Sequence, residues 1–188
     1  SLEQVFADHP GMVAAVIMEP VSVEEPRDGY LEAVRAMTER EGAVLIFDEV
    51  LTGFRLALGG AQEHYRVTPD LACFGKAMAN GYPLAAVVGR RDIMELFDEV
   101  FFSFTFGGET LSLAAARETI IQIHERDVIR HVRERGQELQ DGYNALAALF
   151  EVEQLTECVG MPSRSVITFR DQAGEESLFG GLCASGWH

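Results

Sequence analysis

Apolar and polar positions alternate along this chain in two rhythms. Residues 12–18 read MVAAVIM, a continuous apolar run rich in Val and Ile that predicts a strand buried on both faces of a parallel sheet. It ends at Glu19-Pro20. After the polar stretch VSVEEPRDG, the segment YLEAVRAMTEREG keeps Tyr30, Leu31, Val34, Ala36 and Met37 at helical spacing up to a stop at Gly42. AVLIF at 43–47 then reads as a second buried strand. Strand, crossover helix and strand make a βαβ unit, the sign of a parallel sheet covered by helices.

Two further strand candidates, Leu71 to Phe74 and Leu84 to Val88, are divided by GKAMANGYP, whose glycines and proline predict a loop. Thr105-Phe106-Gly107-Gly108 precedes a helical stretch from Glu109 to Glu125, and helical spacing continues from Val128 to Phe150 with Gly136 and Gly142 as weak points. A polar connection from Thr156 to Arg164 leads to a strand at Ser165 to Phe169 in a separate small unit. The expected division is therefore a sheet-bearing domain over residues 1–126, then connecting helices and the start of a smaller domain over residues 127–188. The tail Gly180 to His188, GGLCASGWH, has neither period nor cap and receives no element.

Composition narrows the function classes. The chain is 47% hydrophobic and 24% charged, with no apolar run long enough to span a bilayer and no amino-terminal signal pattern, so no membrane role is expected. A net charge of -15 without any basic cluster argues against nucleic acid as a partner. Cys73, Cys158 and Cys183 are an odd number at wide spacings, which fits neither a disulfide framework nor a zinc site and points to a reducing cytoplasm. The five histidines are scattered without metal-ligand spacing, so no metal is expected.

Two residues stand out chemically. Asp48 follows AVLIF, which places a carboxylate at the carboxyl end of a buried strand, where open α/β sheets bind ligands. A carboxylate there needs a cationic partner, and an ordinary salt bridge serves as well as a protonated ring nitrogen. Lys76 follows the strand LACF and Gly75, so its amine emerges at another strand end. A lone lysine is most often a solvated charge. Beside a strand-end Asp it gains a second reading, because an amine forms a Schiff base with an aldehyde cofactor while an acid holds a pyridinium nitrogen protonated.

The segment LIFDEVLTGFRLALGGAQEHYRVTPDLACFGKAMANGYPLAAVVGRRDIME resembles the core of the class III pyridoxal-phosphate-dependent aminotransferases, most like their glutamate-1-semialdehyde aminomutase-like branch. Four features carry the resemblance in order: Asp48-Glu49 after an apolar strand, Thr68-Pro69-Asp70, Gly75-Lys76, and the Thr105 to Gly108 run. It implies an α/β fold, part of the three-layer α/β/α sandwich of the fold-type I large domain, followed by the start of a small α+β domain. It also implies pyridoxal 5'-phosphate as cofactor, with Lys76 as its Schiff-base lysine and proton shuttle and Asp48 as partner of its ring nitrogen. Val50, on the same side of the strand as Asp48, would pack on the ring face, although plain core packing accounts for a valine equally well.

Thr105 matches the threonine that binds the cofactor phosphate of a neighbouring subunit, so the resemblance implies a homodimer with its site at the subunit interface. The helix that starts just after Thr105 would add unpaired N–H groups for the phosphate. Glu19, Glu49, Arg55, Gln62, Tyr65 and Arg90 read as supporting or solvent-facing residues. The family's earlier portion, with a phosphate-binding turn and a ring-stacking aromatic residue, is not found in this sequence. Two functions are therefore expected: PLP-dependent amino-group transfer, as transaminase or intramolecular aminomutase on a small amino donor and acceptor, or a non-catalytic remnant that keeps a partial fold or a dimerisation surface.

Overall fold

The computed structural model describes residues 1–101 and 105–170. Two compact units form, one from Ser1–Ser22 with Pro26–Ile129, the other from Val23–Glu25 with the described residues from Arg130 onward.

The first unit is built on a four-stranded sheet in the order β1 (Ala15–Met18), β2 (Val44–Asp48), β3 (Leu71–Phe74), β4 (Ala86–Gly89). β1, β2 and β3 run parallel, and β4 returns antiparallel beside β3. α1 (Leu2–Asp8) precedes β1, with Ser1 accepting from the Gln4 N–H as its cap. The crossover helix α2 (Tyr30–Glu41) stops at Gly42, whose φ of 71° is open to glycine at little strain. There the N–H groups of Gly42 and Ala43 return to the carbonyls of Glu39 and Thr38. α3 (Ala61–Tyr65), α4 (Arg91–Met94) and α5 (Thr110–Glu125) complete the unit.

Strand periodicity sorts the sheet into two faces. Cross-strand register puts Val16, Met18, Leu45, Phe47, Ala72, Phe74 and Ala86 together. Against that face lie Leu31 and Val34 of α2 at one end, and Ala116 and Ile120 of α5 at the other. The opposite face carries Ile17, Ile46, Asp48, Cys73 and Val87, half-buried except for Ile17, which is 65% exposed. The expectation of strands buried on both faces is thus corrected: β2 alternates fully and half-buried positions, and β1 is an edge strand with its outer residues exposed. The described residues supply the sheet and the helical layer of one face, a part of the three-layer arrangement.

Asp70 ties this unit together. Its carboxylate accepts from the Leu45 N–H and Arg35, both at 2.8 Å, and from Arg90 at 3.0 Å. Its backbone N–H donates to the Leu45 carbonyl at 2.8 Å, and its carbonyl accepts from Arg90. Burial alone would push the Asp70 carboxyl up, but Arg35, the Leu45 N–H and Arg90 outweigh it and hold it below the usual carboxylate range.

In the second unit, α6 (Val128–Leu149) runs through both glycines that the sequence marked as weak points. Gly136 has a packing reason: a Cβ there would collide with the Pro162 carbonyl. At Gly142 a Cβ would meet nothing. β5 (Thr156–Val159) and β6 (Val166–Phe169) pair as an antiparallel ribbon beside this helix. β5 corrects the reading of 156–164 as a plain connection. Asn144 of α6 accepts from the Cys158 N–H at 2.8 Å and donates to its carbonyl, and Gln140 donates to the Gly160 carbonyl at 2.8 Å, so β5 is tied to the helix by side chains. Gly180 to His188 lies outside the described residues.

Two substitution sets test this packing. Gly136→Ala is expected to lower stability in urea unfolding by about 1–3 kcal/mol through overpacking, whereas Gly142→Ala is expected to raise it by about 0.5–1 kcal/mol through helix propensity. Asp70→Asn is expected to cost about 3 kcal/mol at pH 7, because it leaves Arg35 without its buried partner. Because folding lowers the Asp70 pKa, its contribution is full above the unfolded carboxyl value of about 3.9 and is lost as pH falls through the folded value. The stability gap between the parent chain and Asp70→Asn, followed by unfolding at several pH values, should therefore close below about pH 4.

Candidate active site

Parallel pairing delivers the ends of β2 and β3 to the same edge of the sheet, and the register sets Asp48 opposite Cys73. The next residues of both strands turn out over that edge. Asp48 is half-buried there, and one carboxylate oxygen, Oδ1, accepts from the Val50 N–H at 3.0 Å. Among the described residues Asp48 has no ion-pair partner. Its charge joins burial in pushing the Cys73 thiol up, burial being the larger cause, so the thiol stays neutral beside it.

The two strand ends lie side by side: a Cβ at Gly75 would stand 3.5 Å from a Val50 methyl, an ordinary van der Waals contact. Lys76 follows with φ 39°, in the left-handed region that a side chain enters at a cost of about 1–3 kcal/mol. The next residues hold it there. A single 3₁₀ turn over Lys76–Met78 closes with the Met78 N–H on the Gly75 carbonyl at 2.9 Å, and Met78 and Ala79 are buried against Ala72, Phe74 and Ala116. The Lys76 side chain itself is exposed, without a hydrogen-bond or ion-pair partner among the described residues. Asn80 and Gly81, also at positive φ, continue the turn.

The structure thus gathers Asp48, Val50 and the Gly75-Lys76 turn at one sheet edge. Thr105 lies in the exposed turn of residues 105–108 that leads into α5, with Phe101 and Phe106 exposed near it in sequence. One expectation is corrected here. The first N–H groups of α5 are not open for an anion, because the Glu109 carboxylate accepts from Leu111 at 2.7 Å and Ser112 at 2.6 Å. Hydrogen bonds from Ser112 and Leu111 hold the Glu109 carboxyl below the usual range. An anion at Thr105 would therefore rely on the hydroxyl and the turn rather than on the helix end.

Glu49 and Gln62 are more engaged than the sequence suggested. Glu49 is fully buried and Gln62 donates to it through both its backbone and its side chain. No local signal marks this, because the partners lie 12 and 13 residues apart and meet only once the loop closes. Among the described residues no His, Cys, Asp or Glu cluster has the makeup of a metal site, and no helix is long and apolar enough to cross a membrane.

The Aminotransferase class-III family profile matches residues 1–161. The glutamate-1-semialdehyde 2,1-aminomutase of Halobacterium salinarum is 38% identical over 194 residues, which cover 99% of this chain and 42% of that protein. The enzyme of the same name from Methanothrix thermoacetophila is 50% identical over 137 residues, 69% of this chain and 32% of its own length. Among solved structures, the PLP internal aldimine form of the FumI protein of Sphingopyxis sp. MTA144 superposes with a TM-score of 0.82 at 28% identity, covering 91% of this chain and 42% of that one. This chain spans less than half the length of these relatives. Its mixed sheet, mostly parallel, is part of their fold, and the chain belongs to the class III aminotransferase family.

Proposed function

We propose that this chain carries the cofactor-binding edge of a PLP-dependent enzyme that transfers an amino group, as a transaminase or an aminomutase acting on small molecules. The observation that carries the proposal is the placement, at neighbouring parallel strand ends, of a half-buried carboxylate, Asp48, and a backbone-strained amine, Lys76, neither with an ion-pair partner among the described residues. Strain of this kind persists where the surroundings over-determine a residue, and it concentrates at functional sites. The donor set fits pyridoxal phosphate: an amine for its aldehyde, a carboxylate for its ring N–H, and an apolar side chain for its ring face. The curated relatives named as aminomutases support the mutase side of the reading.

Pyridoxal phosphate, when bound, supplies an aldehyde and an electron-accepting ring. Lys76 Nζ would hold the cofactor through its aldehyde, with loss of water, and, once displaced by the substrate amine, would carry the proton between the substrate's α carbon and the cofactor, acid–base work worth about 10²–10⁴ in rate. The Asp48 oxygen Oδ2, left free by the Val50 N–H on Oδ1, accepts from the ring N–H and keeps it protonated. Val50, in contact range of Gly75, packs on the ring. Thr105 donates its hydroxyl to the phosphate held by a second copy of the chain. Phe101, Phe106 and Leu111, exposed and near it in sequence, support a homodimer through this region. Residues 1–126 are the large-domain part of this enzyme and residues 127–188 open its small domain. A cytoplasmic setting belongs to the same reading, and the free thiols of Cys73 and Cys158 support it.

The test is direct. The purified chain is mixed with pyridoxal phosphate, reduced with borohydride, digested and mapped by mass spectrometry. The adduct is expected on Lys76 and absent in Lys76→Ala, and Asp48→Asn is expected to weaken cofactor binding about 10- to 100-fold, as the loss of a charge-assisted hydrogen bond does. Folded protein without an adduct on Lys76 would sink the proposal.

A further inference from the structure

Glu49 lies between the two residues that face the proposed cofactor, and every polar atom it has is engaged. Its backbone N–H donates to the Cys73 carbonyl of β3 at 2.9 Å, and its carbonyl accepts from the Gly53 N–H at 2.8 Å. Its side chain is fully buried. Oε2 accepts from the Thr52 hydroxyl at 2.6 Å and the Ala61 N–H at 2.7 Å. Oε1 accepts from the Gln62 N–H at 2.8 Å and from the Gln62 side-chain amide at 3.4 Å. Among the described residues no cation pairs with it, so four hydrogen-bond donors alone offset its burial.

The fit is tight on both sides. A Cβ at Gly60 would collide with the Glu49 carboxylate, and a Cβ at Gly53 would stand 2.7 Å from the Glu49 carbonyl and 2.5 Å from the Phe74 ring. The carboxylate thereby closes the loop from Val50 to Gly60 onto the start of α3.

One peptide group connects this closure to the site. The Glu49–Val50 peptide is held at its oxygen by Gly53 and, through its N–H, it holds Asp48 Oδ1. A peptide is planar, so fixing one side fixes the direction of the other. Thr52, bound to the carboxylate, sets Gly53, and Gly53 sets the peptide that aims Asp48.

We infer that Glu49 is a positioning residue that aims Asp48 at the cofactor's ring nitrogen by locking the Glu49–Val50 peptide. The inference rests on the PLP reading above. It adds a residue that never touches the cofactor and yet sets how rigidly the cofactor is held. Supporting groups of this kind hold a contact group within a narrow range of angles, and their loss loosens the ligand rather than the fold alone.

The experiment compares the parent chain with Glu49→Gln, Asp48→Asn and the double variant. In Glu49→Gln an amide NH₂ must face either Thr52 and Ala61 or the two donors of Gln62, so the loop loosens. Two quantities are read on folded, cofactor-loaded protein: the PLP dissociation constant, and the circular dichroism of the cofactor's visible band per unit absorbance, which reports a fixed ring orientation. Glu49→Gln is expected to weaken PLP binding about tenfold, as loss of an outer supporting partner does, and to diminish the dichroism. In the Asp48→Asn background the same change is expected to add nothing to either, because the two act as one unit. Parental values in Glu49→Gln, or a full additional loss in the double variant, would overturn the inference.

Should Glu49→Gln not fold, Thr52→Val removes one donor from the same carboxylate. It is expected to give a smaller loss in the same direction, and parental values there overturn the inference equally. Borohydride mapping of the parent separates the two claims. An adduct on Lys76 with an unaffected Glu49→Gln sinks the positioning role only, and no adduct on Lys76 sinks both.

Discussion

Leu45 and Asp70 form the tie on which the arrangement depends. Asp70 uses its backbone N–H and its carboxylate to hold the carbonyl and N–H of the same residue, one position into β2. That fixes the register of β2 against β3 before either strand has run its length. Register matters here more than strength, because a slip of one residue turns every side chain to the other face. Asp48 would then leave the face it shares with Cys73, and Val50 would no longer meet Gly75. Arg35, from the crossover helix, and Arg90, just after β4, bind the same carboxylate, so helix and antiparallel strand are referred to the same point.

At the far edge of the sheet a second buried carboxylate does a comparable task. Asp70 fixes where the strands start, and Glu49 fixes how the loop leaves them. Between the two, β2 and β3 are short and stiff, with Leu45 and Phe47 fully buried. The strain at Lys76 is tolerable on this frame because Met78 and Ala79 immediately after it are buried against α5. Burying those side chains contributes an amount of the same order as the strain, about 1–3 kcal/mol. The result is an amine and a carboxylate held on rigid strand ends rather than on mobile loops, which suits a cofactor that must keep one orientation through a reaction.

Much of this was legible along the chain, and the misses have physical reasons. The apolar runs before Glu19 and Asp48, the helical period of Tyr30 to Glu41 and the LACF strand were read correctly because each is a local pattern with a clear stop. Asp48 and Lys76 were legible as strand-end residues for the same reason. Burial was overestimated, since apolar runs do not say whether a partner layer covers each face: Ile17 and Val87 belong to such runs and remain partly open. β5 was missed because TECV is short and polar and becomes a strand only through β6 and the amide of Asn144. The Glu49 network and the Glu109 cap were invisible for a related reason. A glutamate in sequence carries no mark of being a buried acceptor, and its donors are chosen by the fold.

The proposed function puts pyridoxal phosphate at one sheet edge of this chain, between Lys76 and Asp48. A crystal structure of the chain grown with the cofactor tests it most directly. Continuous density is expected from Lys76 Nζ into the cofactor, with the ring nitrogen within hydrogen-bond distance of Asp48 and the ring face on Val50. Cofactor bound at another lysine, or a ring nitrogen turned away from Asp48 while Lys76 stays solvated, would contradict it.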